Sequence, residues 1–296
     1  MYFADHIGRH SMQTKRGKRS MEKKSRIPVM TYADPRDPWI KKQLIFFIEW
    51  LSGKHKLLRM YAEVLDEMDE TGESFWPLAI KKLRVKLSYD EDKLKSIPSD
   101  GPSLFIANHP FGVLDGLIIC YLAYKCRGPF KIMINSVLCT EEHLRPYLLP
   151  IDFNETKEAI RTNINSKNEA EKILKEGGTV VIFPAGGVST AKGLLGKVTD
   201  LDWKLFTAKL IRKTGASVIP VYFEGKNSFL FQLVSQFSLT LRLGLFIFEV
   251  NNKIGKTIKF SIGNPIPTQE LEPYESRQEL ISYLRDHTYA LAHNIQ

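Results

Sequence analysis

Residues 103–115 read Ser103-Leu104-Phe105-Ile106-Ala107-Asn108-His109-Pro110-Phe111-Gly112-Val113-Leu114-Asp115. The first five are an uncharged, apolar run of strand length, the pattern of a strand buried on both faces. Asn108, His109 and Pro110 end it, and a helical pattern follows over residues 115–125. Downstream the same alternation recurs. Strands are expected at 131–134, 179–183, 218–223 and 258–262, and helices at 168–176, 202–213 and 276–292. Upstream, Val85, Leu87 and Tyr89 alternate as a strand. Interleaved strands and helices predict an α/β fold with a mostly parallel central sheet flanked by helices. No repeat or long linker interrupts residues 71–296, so they are expected to form one domain.

Ahead of that domain lie two different segments. Residues 1–26 hold eight lysines and arginines against Asp5 and Glu22, so most of the chain's net +9 sits there. Residues 1–35 read as a flexible basic arm, drawn to an anionic surface or simply solvated. Residues 36–70 read as an N-terminal amphipathic helical segment, broken near Ser52-Gly53. Its stretch Leu44-Ile45-Phe46-Phe47-Ile48-Glu49-Trp50-Leu51 is apolar almost all round and flanked by Lys41, Lys42, Lys54 and Lys56. Such a helix suits a membrane interface, and it equally suits packing on the main domain.

Several function classes are disfavoured. At 43% hydrophobic and 25% charged, the chain is globular rather than disordered. No apolar core follows the basic stretch, as a secretory signal requires. The longest run without charge, residues 227–241, is too short to span a bilayer. Cys120, Cys126 and Cys139 show no CxxC spacing, which points to a reduced, cytoplasmic setting without a zinc site. The remaining histidines are not read as a metal site, so no metal is expected. Phosphate-binding GxxxxGK[ST], dinucleotide-binding GxGxxG and hydrolase GxSxG motifs are missing. Nucleic acid is not an expected partner, since the basic charge lies in the tail.

Ligands of such sheets gather at the carboxyl ends of strands. Two glycine-containing loops fall there: 108–115, and Phe183-Pro184-Ala185-Gly186-Gly187-Val188-Ser189. In the first, a carboxylate within two helical turns of an imidazole can hold one ring nitrogen as N–H, leaving the other to accept a hydroxyl proton. The helix start beyond offers backbone N–H groups for a developing oxyanion. By spacing alone, His109 and Asp115 serve equally as a hydrogen-bonded loop pair, and the second loop as a tight turn.

Taken together, these residues resemble the glycerolipid (lysophosphatidic acid) acyltransferase superfamily. Loop 108–115 is similar to its first block, 183–189 to its third and Val218-Ile219-Pro220-Val221 to its fourth. The continuation Phe223-Glu224-Gly225-Lys226-Asn227-Ser228 resembles the bacterial branch that includes lyso-ornithine-lipid acyltransferases and hemolysin-like proteins. The resemblance implies transfer of a fatty acyl group from acyl-CoA or acyl carrier protein, as cosubstrate, to a lyso-lipid hydroxyl. His109 would be the general base and Asp115 its partner. Asn108, Phe183, Pro184, Gly186, Gly187 and Ser189 would bind substrate, and Arg161 would match the second block's basic residue. No bound cofactor is implied.

Two departures bear on the acceptor. Five residues separate His109 from Asp115 where the broad family has four, and Gly112 is placed to absorb the extra one in an irregular turn. Ala185 and Val188 stand where that family carries Glu and Arg, which removes a bidentate phosphate donor. The expected acceptor is a lyso-lipid with another head group, an amino-acid lipid such as lyso-ornithine lipid. The expected location is peripheral, on the inner face of the cytoplasmic membrane. Two other readings stand beside transfer: a lipid or thioester hydrolase using the same His-Asp pair, and a non-catalytic protein that binds anionic lipid.

Overall fold

The computed structural model describes residues 31, 33, 35–139, 141–191, 193 and 196–295. The predicted basic arm thus lies outside the described residues but for 31, 33 and 35. The helical segment forms α1 (Trp39–Leu51) and α2 (Lys54–Thr71), broken at Ser52-Gly53 as expected. Next come α3 (Phe75–Leu83), β1 (Lys86–Ser88), α4 (Glu91–Lys95), β2 (Ser103–Ala107), α5 (Val113–Arg127) and β3 (Lys131–Asn135). Then follow β4 (Leu148–Ile151), α6 (Lys157–Lys175), β5 (Thr179–Ile182), the short pair β6 (Thr190–Ala191) and β7 (Val198–Thr199), α7 (Leu205–Thr214) and β8 (Ser217–Phe223). The chain continues through α8 (Phe229–Phe237), α9 (Leu239–Lys253), β9 (Thr257–Ile262), α10 (Thr268–Leu271) and α11 (Arg277–Ala290).

Seven strands form one sheet in the order β1-β9-β8-β2-β5-β3-β4. The strands from β8 to β4 run parallel, and β9 pairs antiparallel with β8, so the expected mostly parallel sheet is present with a reversed edge. Helices cover both faces. Phe105, Ala107, Val181, Ile219 and Val221 pack under α2, α3 and α5. Leu104, Ile106, Val180, Ile182 and Val218 pack under α6, α7 and α11. Adjacent residues of one strand thus enter opposite layers, which is why residues 103–107 are apolar without alternation.

The structure corrects some boundaries. The helix expected at 168–176 begins at Lys157, where the Thr156 side chain accepts the Ala159 N–H at 3.1 Å. α5 begins at Val113, so Asp115 lies inside its first turn. α3, β4, α8 and α9 lie where no element was anticipated. Residues 227–241 supply α8 and the start of α9, broken at Ser238, which caps α9. Among the described residues, no helix is long and apolar enough to cross a membrane.

α1 buries one face and exposes the other. Ile45 (0% exposed) and Glu49 are buried where α1 lies on α9. Glu49 pairs with Lys54 at 2.8 Å and accepts from Thr31 at 3.0 Å. The opposite face leaves Trp39, Ile40, Phe47 (56%), Trp50 (58%) and Leu51 exposed.

Candidate active site

Strand order decides which loops meet. β2 lies between β8 and β5, all parallel, so the loops leaving their carboxyl ends are neighbours. Loop 108–112 follows β2, loop 183–189 follows β5, and loop 224–228 follows β8.

His109 Nδ1 lies 2.9 Å from Oδ1 of Asp115, whose side chain is fully buried. The contact is bent, since Oδ1 stands off the line of the ring N–H. Asp115 is held twice more: Oδ2 accepts the Phe111 N–H at 2.8 Å and Oδ1 accepts the Gly116 N–H at 2.8 Å. Five intervening residues fit because the loop is tightly turned at Gly112, with φ 84° and ψ −109°. A Cβ there would meet the Phe246 ring at 2.9 Å and Val188 at 3.3 Å. With Nδ1 facing the carboxylate, Nε2 remains to accept a proton.

From β5, the Phe183 ring stacks on the His109 ring, with centroids 3.8 Å apart and planes 23° apart. Gly186 is exposed in the turn closed by its N–H donating to Phe183 O at 3.0 Å, and Gly187 is half-buried. Other expected substrate contacts are engaged in building the site. Asn108 is buried, donates to Phe223 O at 2.9 Å and accepts the Phe223 N–H at 2.7 Å, tying β2 to β8. Pro184 is buried, and its carbonyl accepts the Lys204 N–H at 2.9 Å. Ser189 is buried, and its hydroxyl donates to Asp200. Arg161 is exposed on α6, its guanidinium without a hydrogen bond or ion pair to another described residue.

Three features were not read from the sequence. Asp200 is buried and receives the His109 backbone N–H at 3.1 Å, the Ser189 hydroxyl and Trp203 Nε1 at 2.9 Å. Burial raises its carboxyl pKa above the usual range, opposed by those donors. The Ser189 N–H in turn donates to His109 O at 2.8 Å, so the two loops are sewn together. On the other side, Phe111 packs so closely on Gly225 (φ 117°) that a Cβ there would fall 2.9 Å from its ring. Lys253 Nζ lies 4.8 Å from the Phe111 ring centroid and bonds Glu249 at 2.9 Å and Asn227 at 3.1 Å. The stretch from Phe223 to Ser228 therefore braces the histidine loop from behind. The contacts that bring Asp200 and Lys253 to the site, Asp200 with His109 and Lys253 with Phe111 and Asn227, join residues distant in the chain.

No activated thiol competes with the imidazole. Burial raises the pKa of Cys126 and Cys139 to about 11, and that of buried Cys120 upward as well.

The mostly parallel sheet thus presents a histidine-carboxylate pair just beyond the carboxyl end of β2, an arrangement capable of acid-base chemistry. The chain belongs to the acyltransferase family, whose match spans residues 73–296. It is 28% identical to a lyso-glycine lipid O-acyltransferase of Phocaeicola vulgatus, over 76% of this chain and 80% of that protein. It is 26% identical to a lyso-glycine lipid O-acyltransferase of Bacteroides thetaiotaomicron, over 76% of this chain and 82% of that protein. The crystal structure of the 1-acyl-sn-glycerophosphate acyltransferase PlsC from Thermotoga maritima aligns with a TM-score of 0.48 at 18% identity, covering 86% of this chain and 88% of that one.

Proposed function

We propose that this enzyme transfers a fatty acyl group from an acyl thioester to the hydroxyl of a lyso-lipid whose head group is an amino acid, with His109 as general base and Asp115 as its orienting partner. The observation that carries the reading is the 2.9 Å approach of His109 Nδ1, on a loop at the sheet's carboxyl end, to the buried carboxylate in the first turn of α5. Nε2 takes the proton of the acceptor hydroxyl as its oxygen attacks the thioester carbonyl. The tetrahedral adduct collapses by expelling the thiolate, which takes the proton back from the imidazolium. The products are the acylated lipid and a free thiol, with no covalent enzyme intermediate. The donor is acyl-CoA or acyl carrier protein.

The relatives' names support an amino-acid lipid over lysophosphatidic acid, and so does the third-block loop. Val188 is buried against Phe246 in an apolar cluster under α1 and α9, so that position offers no cation to a phosphate. The exposed aromatic face of α1 supports peripheral attachment at the membrane that holds the acceptor.

The test is thiol release from long-chain acyl-CoA and acyl carrier protein, with and without lyso-lipids, for wild type and His109→Ala. Acceptor-dependent release that the variant lacks is expected. Release that ignores the acceptor and yields free fatty acid would replace transfer with hydrolysis. No release with any pair would favour a lipid-binding role.

A further inference from the structure

α9 turns one face toward the site. Phe246 abuts Gly112 and Val188, and one turn earlier Arg242 Nη2 donates to the Val188 carbonyl at 3.0 Å. The next residue, Ser189, donates its N–H to His109 O. The Arg242 guanidinium is therefore one peptide unit from the backbone that holds the catalytic loop. It is half-buried and lies 5.7 Å from the Phe231 ring centroid. Burial pushes its pKa down, and no carboxylate is paired with it among the described residues.

A guanidinium carries five N–H donors, and the Val188 carbonyl engages one group of them. Supporting a single carbonyl requires no charge, whereas partial desolvation of a cation without a counter-charge is costly. The planar fork matches a carboxylate, two donors to two oxygens. One guanidinium balances the single charge of a carboxylate and falls short of a phosphate dianion.

We propose that Arg242 binds the carboxylate of the acceptor's head group and thereby holds the lyso-lipid with its hydroxyl beside His109. The assignment rests on the acyl-transfer reading above and names its specificity determinant. The side chain at 188 is apolar and engaged in the cluster with Phe246, so the cation reaches this loop from α9.

The test compares a free carboxylate with its ester. Binding of a long-chain N-acylglycine and of its methyl ester is measured by titration calorimetry on the full chain, for wild type, Arg242→Gln and Arg242→Lys. Glutamine can still donate to the Val188 carbonyl while losing the charge, and lysine restores the charge without the fork. The free acid should bind wild type more tightly than the ester. Arg242→Gln should weaken free-acid binding by about tenfold to a hundredfold and leave the ester unchanged, as expected for hydrogen bonds to a charged group. Arg242→Lys should recover part of the loss. In turnover, the acceptor KM should rise in the glutamine variant and the donor KM stay constant. Parallel weakening of acid and ester, no change in either, or wild-type preference for lysophosphatidic acid would overturn the assignment. Binding is read without turnover. Selective binding without acyl transfer to any acceptor would therefore sink the catalytic reading and leave the anchor standing.

Discussion

The backbone N–H of His109 donates to Oδ1 of Asp200 at 3.1 Å, joining residues 91 apart in the chain. The same carboxylate receives Ser189 and Trp203, and its own N–H donates to the Tyr289 hydroxyl at 3.0 Å. It is the knot between both loops of the site and the last helix. Replacing it by alanine strands those buried donors, each at about 1–3 kcal/mol. Asp200→Ala should lower the melting temperature and kcat together.

Asp200 also sets a pH dependence. Its folded-state pKa is raised, so the folded chain holds this proton more tightly than the unfolded chain. The resulting stabilisation is complete below the unfolded value of about 3.9 and is lost as pH rises through the raised folded value. Chemical denaturation across that window should show less of this decline in Asp200→Asn than in wild type.

Asp115→Asn should keep much of the loop, because an amide oxygen can still accept the Phe111 N–H. What it loses is the charge that stabilises the imidazolium. We expect kcat to fall by about 10²–10⁴-fold, the range of a lost acid-base contribution, with melting changed far less. Steady-state kinetics with melting curves on the same preparations check this.

Gly112 tolerates no side chain. Alanine there meets both a strained φ of 84° and the Phe246 ring at 2.9 Å. The cost should be about 2 kcal/mol or more, combining backbone strain with overpacking. Denaturant titration of Gly112→Ala should show it, and a midpoint equal to wild type would refute the loop geometry.

On α1, two substitutions two residues apart should act differently. Phe47→Ser, on the exposed face, should weaken co-sedimentation with anionic vesicles while the melting temperature holds. Ile45→Asp, on the buried face, should destabilise the fold by placing an unpaired charge in the cluster with Phe231 and Phe246. If Phe47→Ser left vesicle binding unchanged, α1 would be a packing helix only.

The legibility of this protein follows the range of the forces involved. Strand β2, its loop and the start of the helix after it are written in 13 contiguous residues, where apolar run, breaker and periodicity act locally. His109 and Asp115 were legible for the same reason: one turn of chain brings them together. α8 and α9 were not anticipated, because their mixed apolar and polar residues acquire meaning from the partners they cover. Asn108, Pro184 and Ser189 were legible as members of the site, but the side chains of Asn108 and Ser189 and the carbonyl of Pro184 hold backbone and carboxylate partners.

The sequence by itself determined the alternation of strands and helices and the histidine-carboxylate pair, since both depend on neighbours within a few residues. Only the tertiary structure decided that β2 lies between β5 and β8, and with it which loops face His109. Asp200, Lys253 and Arg242 join the site on those terms. Their contacts with His109, Phe111 and Val188 exist once strands and helices distant in sequence pack together, and no local pattern encodes that packing.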